Sequence, residues 1–97
     1  MVELLFHPEA EAEYLDAIRW YWDRSPNAAR NFETQVAAVL SKVLAEPGMF
    51  AKYDDVHHFA VVRRFPYSVV YRTLPDRVFV IAVAHSSRKP AYWEDRE

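Results

Sequence analysis

A chain of 97 residues that is 52% hydrophobic and 15% aromatic with a single glycine can build one core, and its composition excludes a disordered chain. The absence of cysteine excludes disulfides, thiolate catalysis and cysteine-based zinc sites, and fits a reducing cytosol. The net charge of −2 divides unevenly, with 8 acidic and 4 basic residues over 1–46 and 6 acidic and 8 basic over 47–97, a far weaker basic footprint than a protein that lives on nucleic acid carries.

Val2–Phe6 reads as a short strand closed by His7-Pro8. Proline suits the first turn of a helix, where no backbone donor is needed, and Glu9, Glu11 and Glu13 place negative charge at its positive end. Tyr14, Leu15, Ile18, Tyr21 and Trp22 then recur at three- and four-residue steps, which predicts an amphipathic helix over 8–24. Its carboxylates read as a solvated face with local pairs such as Arg19 and Asp23. Ser25-Pro26 repeats the start signal, and Ala29, Phe32, Val36, Val39, Leu40, Val43 and Leu44 continue a second stripe to Glu46-Pro47-Gly48. So short a connection predicts an antiparallel helical hairpin.

Residues 47–55 read as a loop anchored by Met49, Phe50 and Tyr53. Strands are expected over 56–64, 67–72 and 78–84, with turns at Phe65-Pro66 and 74–77, close enough in sequence to pair antiparallel. In the middle strand Tyr67, Val69 and Tyr71 face one way, and Ser68, Val70 and Arg72 the other. The last strand is apolar on both alternations, Val78, Val80, Ala82 and Ala84 against Phe79, Ile81 and Val83. One set belongs to the helices, and the other needs a partner or the chain's own ends. Residues 90–97 are expected to form a helical turn or stay extended. The class is α+β in the order β-α-α-β-β-β, a single domain (1–97) with the N-terminal strand and helical hairpin packed on one face of an antiparallel sheet.

The words RFPY (64–67), VVYR (69–72), AVAH (82–85) and R-x-P-x-YW (88–93), together with the hairpin and Phe32, resemble the toxins of bacterial type II toxin–antitoxin modules in the ParE/RelE superfamily. The resemblance covers nearly the whole chain and is closest to the ParE-like branch, often labelled plasmid stabilisation proteins. It implies a cytoplasmic toxin that inhibits DNA gyrase by protein–protein binding without catalysis of its own. It also implies a cognate antitoxin that neutralises the toxin and alone carries the complex to operator DNA. The RelE-like branch implies the alternative, a metal-independent endoribonuclease that cuts mRNA on the ribosome. A third reading is an inactive toxin fold kept as a binding module.

Metal-free RNA cleavage needs groups that move protons and stabilise a phosphorane. Arg64, His85, Arg88 and Tyr92 are the candidates for such a role. However, His57, His58 and Phe59 stand where ribosome-dependent relatives often carry arginines. Arg63, Arg72, Arg88, Tyr92 and Trp93 are the candidates for contacts with target or antitoxin, since arginine and aromatic residues anchor interfaces. Each also has a structural reading: His85 as a hydrogen-bonded fixture of the tail, Arg88 paired with Glu94 or Asp95, and Trp93 packed against the helices. Adjacent strand residues such as His57 and His58 point to opposite faces and cannot readily grip one ion, so no metal or cofactor is expected. No apolar run approaches the ~18 residues of a membrane span, and no membrane role is expected.

Overall fold

The computed structural model describes residues 2–96. Strand β1 (Glu3–Phe6) leads into helices α1 (Pro8–Arg24) and α2 (Pro26–Ala45), followed by strands β2 (Ala51–Lys52), β3 (His58–Val61), β4 (Tyr67–Leu74) and β5 (Arg77–His85). The helix bounds follow from capping chemistry. His7 accepts the Glu9 N–H on Nδ1 at 3.1 Å and opens α1. Ser25 serves both helices: its N–H donates to the Tyr21 carbonyl at 2.7 Å, and its Oγ accepts the Ala28 N–H at 3.2 Å. One residue thus closes one helix and starts the next, and the hairpin predicted from the sequence forms.

The hairpin buries Ala10, Ala17, Ala29, Phe32, Val36, Val39 and Val43. Phe32 sits at the centre of an aromatic group, its ring 5.1–5.3 Å from those of Tyr21, Phe65 and Tyr67. Leu15 and Trp22, expected on the inner stripe of α1, are instead 52% and 50% exposed. The face of α1 that meets the sheet is centred on Ala10 and Ala17, and Leu15 lies roughly 200° around the helix from Ala17. Small side chains let the helix approach closely, and the bulkier residues are left outside.

The five strands form one sheet in the order β1-β5-β4-β3-β2. β3, β4 and β5 pair antiparallel, as their short connections require, and β2 pairs antiparallel with β3. The sheet is mixed rather than wholly antiparallel, because β1 joins it beside β5 and parallel to it. The long connection through both helices makes that possible. β2 falls in the stretch expected to be a loop. β3 begins later than residue 56 because the Asp54 carboxylate accepts the N–H groups of Val56 and His57 at 2.9 and 2.7 Å and bends the chain there.

The largest departure from simple alternation lies in β5. Val70 pairs with Ala82 but Tyr71 pairs with Val80, so Ile81 is an extra residue, a β-bulge. The bulge resets the two-residue period. Val78, Val80 and Val83 pack under the helices, while Ile81 and Ala82 join Val70, Phe59, Phe79 and Ala84 on the other face. The expected grouping of Val78 and Val80 with Ala82 and Ala84 therefore fails after the bulge. β4 keeps its alternation, with Tyr67, Val69 and Tyr71 on the helix side.

Because Phe32 joins both helices to the sheet, Phe32→Ala is expected to cost about 3–5 kcal/mol in chemical denaturation, whereas Trp22→Ala, at an exposed position, costs at most about 0.5 kcal/mol.

Candidate functional site

β1 ends at Phe6 because His7-Pro8 turns the chain off the sheet into α1. The His7 N–H makes the last bond to that edge, to the Val80 carbonyl at 2.8 Å. Beyond Val80 the edge of β5 has no strand beside it, and side chains close it instead. Glu13 Oε1 accepts the Val83 N–H at 3.0 Å, and Arg96 Nη1 donates to the Ile81 carbonyl at 3.0 Å. The two side chains are themselves joined by a two-pronged pair, Nη1 to Oε1 at 2.9 Å and Nη2 to Oε2 at 3.0 Å. The Tyr92 hydroxyl donates to Glu13 Oε2 at 2.7 Å. Glu13, read from the sequence as one of a solvated row, is thus a half-buried hub that accepts from three residues, Val83 of β5 and Tyr92 and Arg96 of the tail. The Arg19–Asp23 pair expected on the same helix is not among the ion pairs of the described residues.

This hub pins the tail across the second face of the sheet. Residues 90–96 make successive turns, with Tyr92 N–H bonded to Lys89, Glu94 N–H to Ala91 and Arg96 N–H to Trp93; Glu97 lies outside the described residues. Ala91 takes a positive φ of 58° to make the bend. Trp93 is 4% exposed and rests against Val70, Ile81 and Ala82, with the His57 ring at 4.7 Å and Tyr53 at 5.1 Å. The second face, whose expected cover was a partner or the chain's own ends, is covered by the tail, and Trp93 packs there rather than against the helices.

The positions singled out from the sequence separate into two groups. Tyr92, Trp93 and Arg72 belong to the covered face. Burial together with the Glu13 carboxylate raises the Tyr92 phenol well above its ordinary pKa. The ring lies beneath the Arg88 guanidinium at 3.8 Å. Arg72 extends over the same face, and its buried Nε has no hydrogen-bond partner. His57 and His58 lie on opposite faces, one against Trp93 and the other stacked on Tyr71 at 5.3 Å.

Arg63, Arg64 and Arg88 are exposed and gather at one end with Lys89. The Ser86 N–H bonds the Pro66 carbonyl at 2.8 Å and ties the turn after β5 to the β3–β4 turn, so the four cations share that end. No carboxylate pairs with Arg63, Arg64 or Lys89 among the described residues, and Arg88 has only Glu13 at 3.9 Å rather than Glu94 or Asp95. Arg64 holds a φ of 71°, a conformation that costs a non-glycine residue about 1–2 kcal/mol. His85 is fixed locally: its Nδ1 accepts the Ser87 N–H at 3.0 Å, lies 2.8 Å from Ser87 Oγ, and its ring meets the Tyr67 ring edge-on at 5.0 Å. Between this end and α1 is an opening of about 400 Å³ with Asp16, Trp20 and Tyr21 on one wall and Tyr67, His85 and Arg88 on the other. Sequence reasoning missed Glu13 and Arg96, whose partnership spans 83 positions and has no local signal.

The helical hairpin on a five-stranded mixed sheet is an α+β fold shared with toxins of type II toxin–antitoxin systems. Residues 4–90 match the family described as ParE toxin of type II toxin-antitoxin system, parDE. Toxin ParE2 of Mycobacterium tuberculosis, from strains CDC 1551 / Oshkosh and ATCC 25618 / H37Rv alike, is 28% identical over 88 residues, which are 90% of this chain and 84% of that protein. A solved chain described as the chromosomal ParDE TA system from P. aeruginosa superposes with a TM-score of 0.71 over 88% of this chain and 96% of that one, at 16% identity, which shows the shared fold. The chain belongs to the ParE toxin family of type II toxin–antitoxin systems.

Removing the hub tests its role. Glu13→Ala is expected to cost about 3 kcal/mol, the scale of breaking a buried pair, and to expose Trp93 with a red-shifted fluorescence. Arg96→Ala costs a similar amount, and the double variant little more than either, because the two act as one unit. The Tyr92 phenol also predicts a pH response. A phenol with a higher pKa folded than unfolded holds its proton more tightly in the folded state. Its contribution is therefore whole below the ordinary value of 10.0 and declines as the pH rises above it. Urea denaturation across pH 8–11 should show stability falling above about pH 10, with a shallower fall in Tyr92→Phe.

Proposed function

We propose that this toxin inhibits DNA gyrase by protein–protein binding through its basic end, and that a cognate antitoxin neutralises it by covering toxin surface. The observation that carries this reading is the set of Arg63, Arg64, Arg88 and Lys89 on two turns tied together, three of them without an ion-pair partner among the described residues. Exposed arginines on a fixed scaffold suit an acidic protein surface, where they set both rate and orientation of docking. An arginine kept at a strained positive φ at that end fits a contact role, since such strain concentrates at functional positions.

The same geometry favours contact over RNA cleavage. The Tyr92 hydroxyl donates a hydrogen bond to Glu13 and holds its proton well above neutral pH, so it offers neither acid nor base there. His85 has one ring nitrogen engaged by Ser87. A net charge of −2 gives the chain little general attraction to rRNA. The toxin's place is the cytoplasm with its target, and operator DNA is reached only through the antitoxin. Among the described residues no helix is long and apolar enough to cross a membrane.

Purified toxin added to gyrase and relaxed DNA should block supercoiling, and Arg63→Glu/Arg64→Glu should raise the half-inhibiting concentration about tenfold or more while the melting curve stays unchanged. Intact supercoiling activity together with cleavage of mRNA on programmed ribosomes, lost in Arg88→Ala, would replace this reading with the endoribonuclease.

A further inference from the structure

The edge of β5 beyond β1 is closed only in part. Residues that alternate along a strand send their backbone groups to alternate sides. The Ser86 N–H bonds Pro66 on the β4 side, so His85 faces the open side, as does Val83, whose N–H is held by Glu13. The His85 carbonyl is taken by the Arg88 N–H at 3.0 Å. Among the described residues this leaves the Val83 carbonyl and the His85 N–H without a hydrogen-bond partner, one acceptor and one donor flanking Ala84. Both residues line the opening between α1 and the end of the sheet.

The spacing of the two groups selects what can meet them. In a parallel ladder a single residue donates to the carbonyl before its neighbour and accepts from the N–H after it, so one residue satisfies both. An antiparallel guest would need two residues for the same two bonds. β1 already runs parallel on this edge and stops at the level of Val80. A guest strand would therefore prolong the line of β1, with the Glu13–Arg96 pair between the two. Side chains on the walls set the rest: Trp20, 50% exposed, beside Tyr21 and Tyr67 offers aromatic surface, and Asp16 on the rim has no ion-pair partner among the described residues.

We propose that this opening seats an extended segment of the antitoxin, which adds one residue in parallel to β5 between Val83 and His85. That segment places an apolar side chain against Trp20 and Tyr67 and a neighbouring lysine or arginine at Asp16. The proposal rests on the reading that an antitoxin neutralises this toxin, and names where and how it holds on. Backbone pairing supplies affinity, and the pocket beside it supplies selectivity.

The probe is the small protein encoded by the reading frame adjoining the toxin's own, purified in complex with the whole toxin. In the complex the His85 amide should exchange with solvent at least about tenfold more slowly than in the free toxin, followed by NMR. Asp16→Lys and Trp20→Ala, both at exposed positions, should each weaken the complex about tenfold. Trp22→Ala, on the opposite flank of α1, should change it less than about twofold. A stable complex in which His85 exchanges as in the free toxin, or which Asp16→Lys leaves unchanged, overturns this site while the antitoxin reading stands. No complex with that protein overturns both.

Discussion

The fold depends on an edge that no strand completes. β1 must leave the sheet at His7-Pro8 to start the hairpin, and this leaves the second half of β5 with open backbone groups. An open edge invites pairing with any other chain. The Glu13–Arg96 pair answers this by presenting an acceptor to the Val83 N–H and a donor to the Ile81 carbonyl. The ion pair stands in for the peptide group of a missing strand. It works because Ile81 and Val83 are two residues apart along the strand and so send their backbone groups to the same side.

The same pair decides what the second face of the sheet is for. Val70, Ile81, Ala82 and Phe79 form a surface too apolar to leave in water, and Trp93 covers its centre. The guanidinium of Arg96 holds the turn that places Trp93 there, so an electrostatic contact at the edge sets a hydrophobic contact on the face. The tail residues 91–96 lie beyond the part of the chain that matches the family, whereas Glu13 lies within it. The hub therefore joins a shared element to a segment outside the match.

Most of the fold was legible because its signals are local. Ser25-Pro26 announces the hairpin, and the alternation of Tyr67, Val69 and Tyr71 reports the inner face of β4 correctly. What was not legible depends on distant partners. Nothing near Glu13 separates it from Glu9 and Glu11, which are exposed; its half-burial comes from contact with a tail about eighty residues away. The bulge is hidden for a related reason, since a strand apolar on both alternations carries no phase that a shift could break. Of the site, the cluster of Arg63, Arg64 and Arg88 was visible as residues, but the hydrogen bond from Ser86 to Pro66 that gathers them was not.

The arrangement also explains why a dense set of polar side chains need not be a catalytic one. Arg88, Tyr92 and Arg96 stack in sequence around Glu13, with the two guanidinium carbons 3.8 and 5.1 Å from the Tyr92 ring centre. Within such a stack the phenol keeps its own proton, which it donates in a hydrogen bond to the Glu13 carboxylate. Catalysis by proton transfer needs the reverse, a group whose two forms lie close in energy near the working pH. The hub removes that freedom from Tyr92. What it leaves exposed are charges that do not change form at all, the guanidiniums of Arg63, Arg64 and Arg88. A guanidinium's planar donors suit carboxylates, and the hydrogen bond from Ser86 to Pro66 holds together the two turns that carry these three.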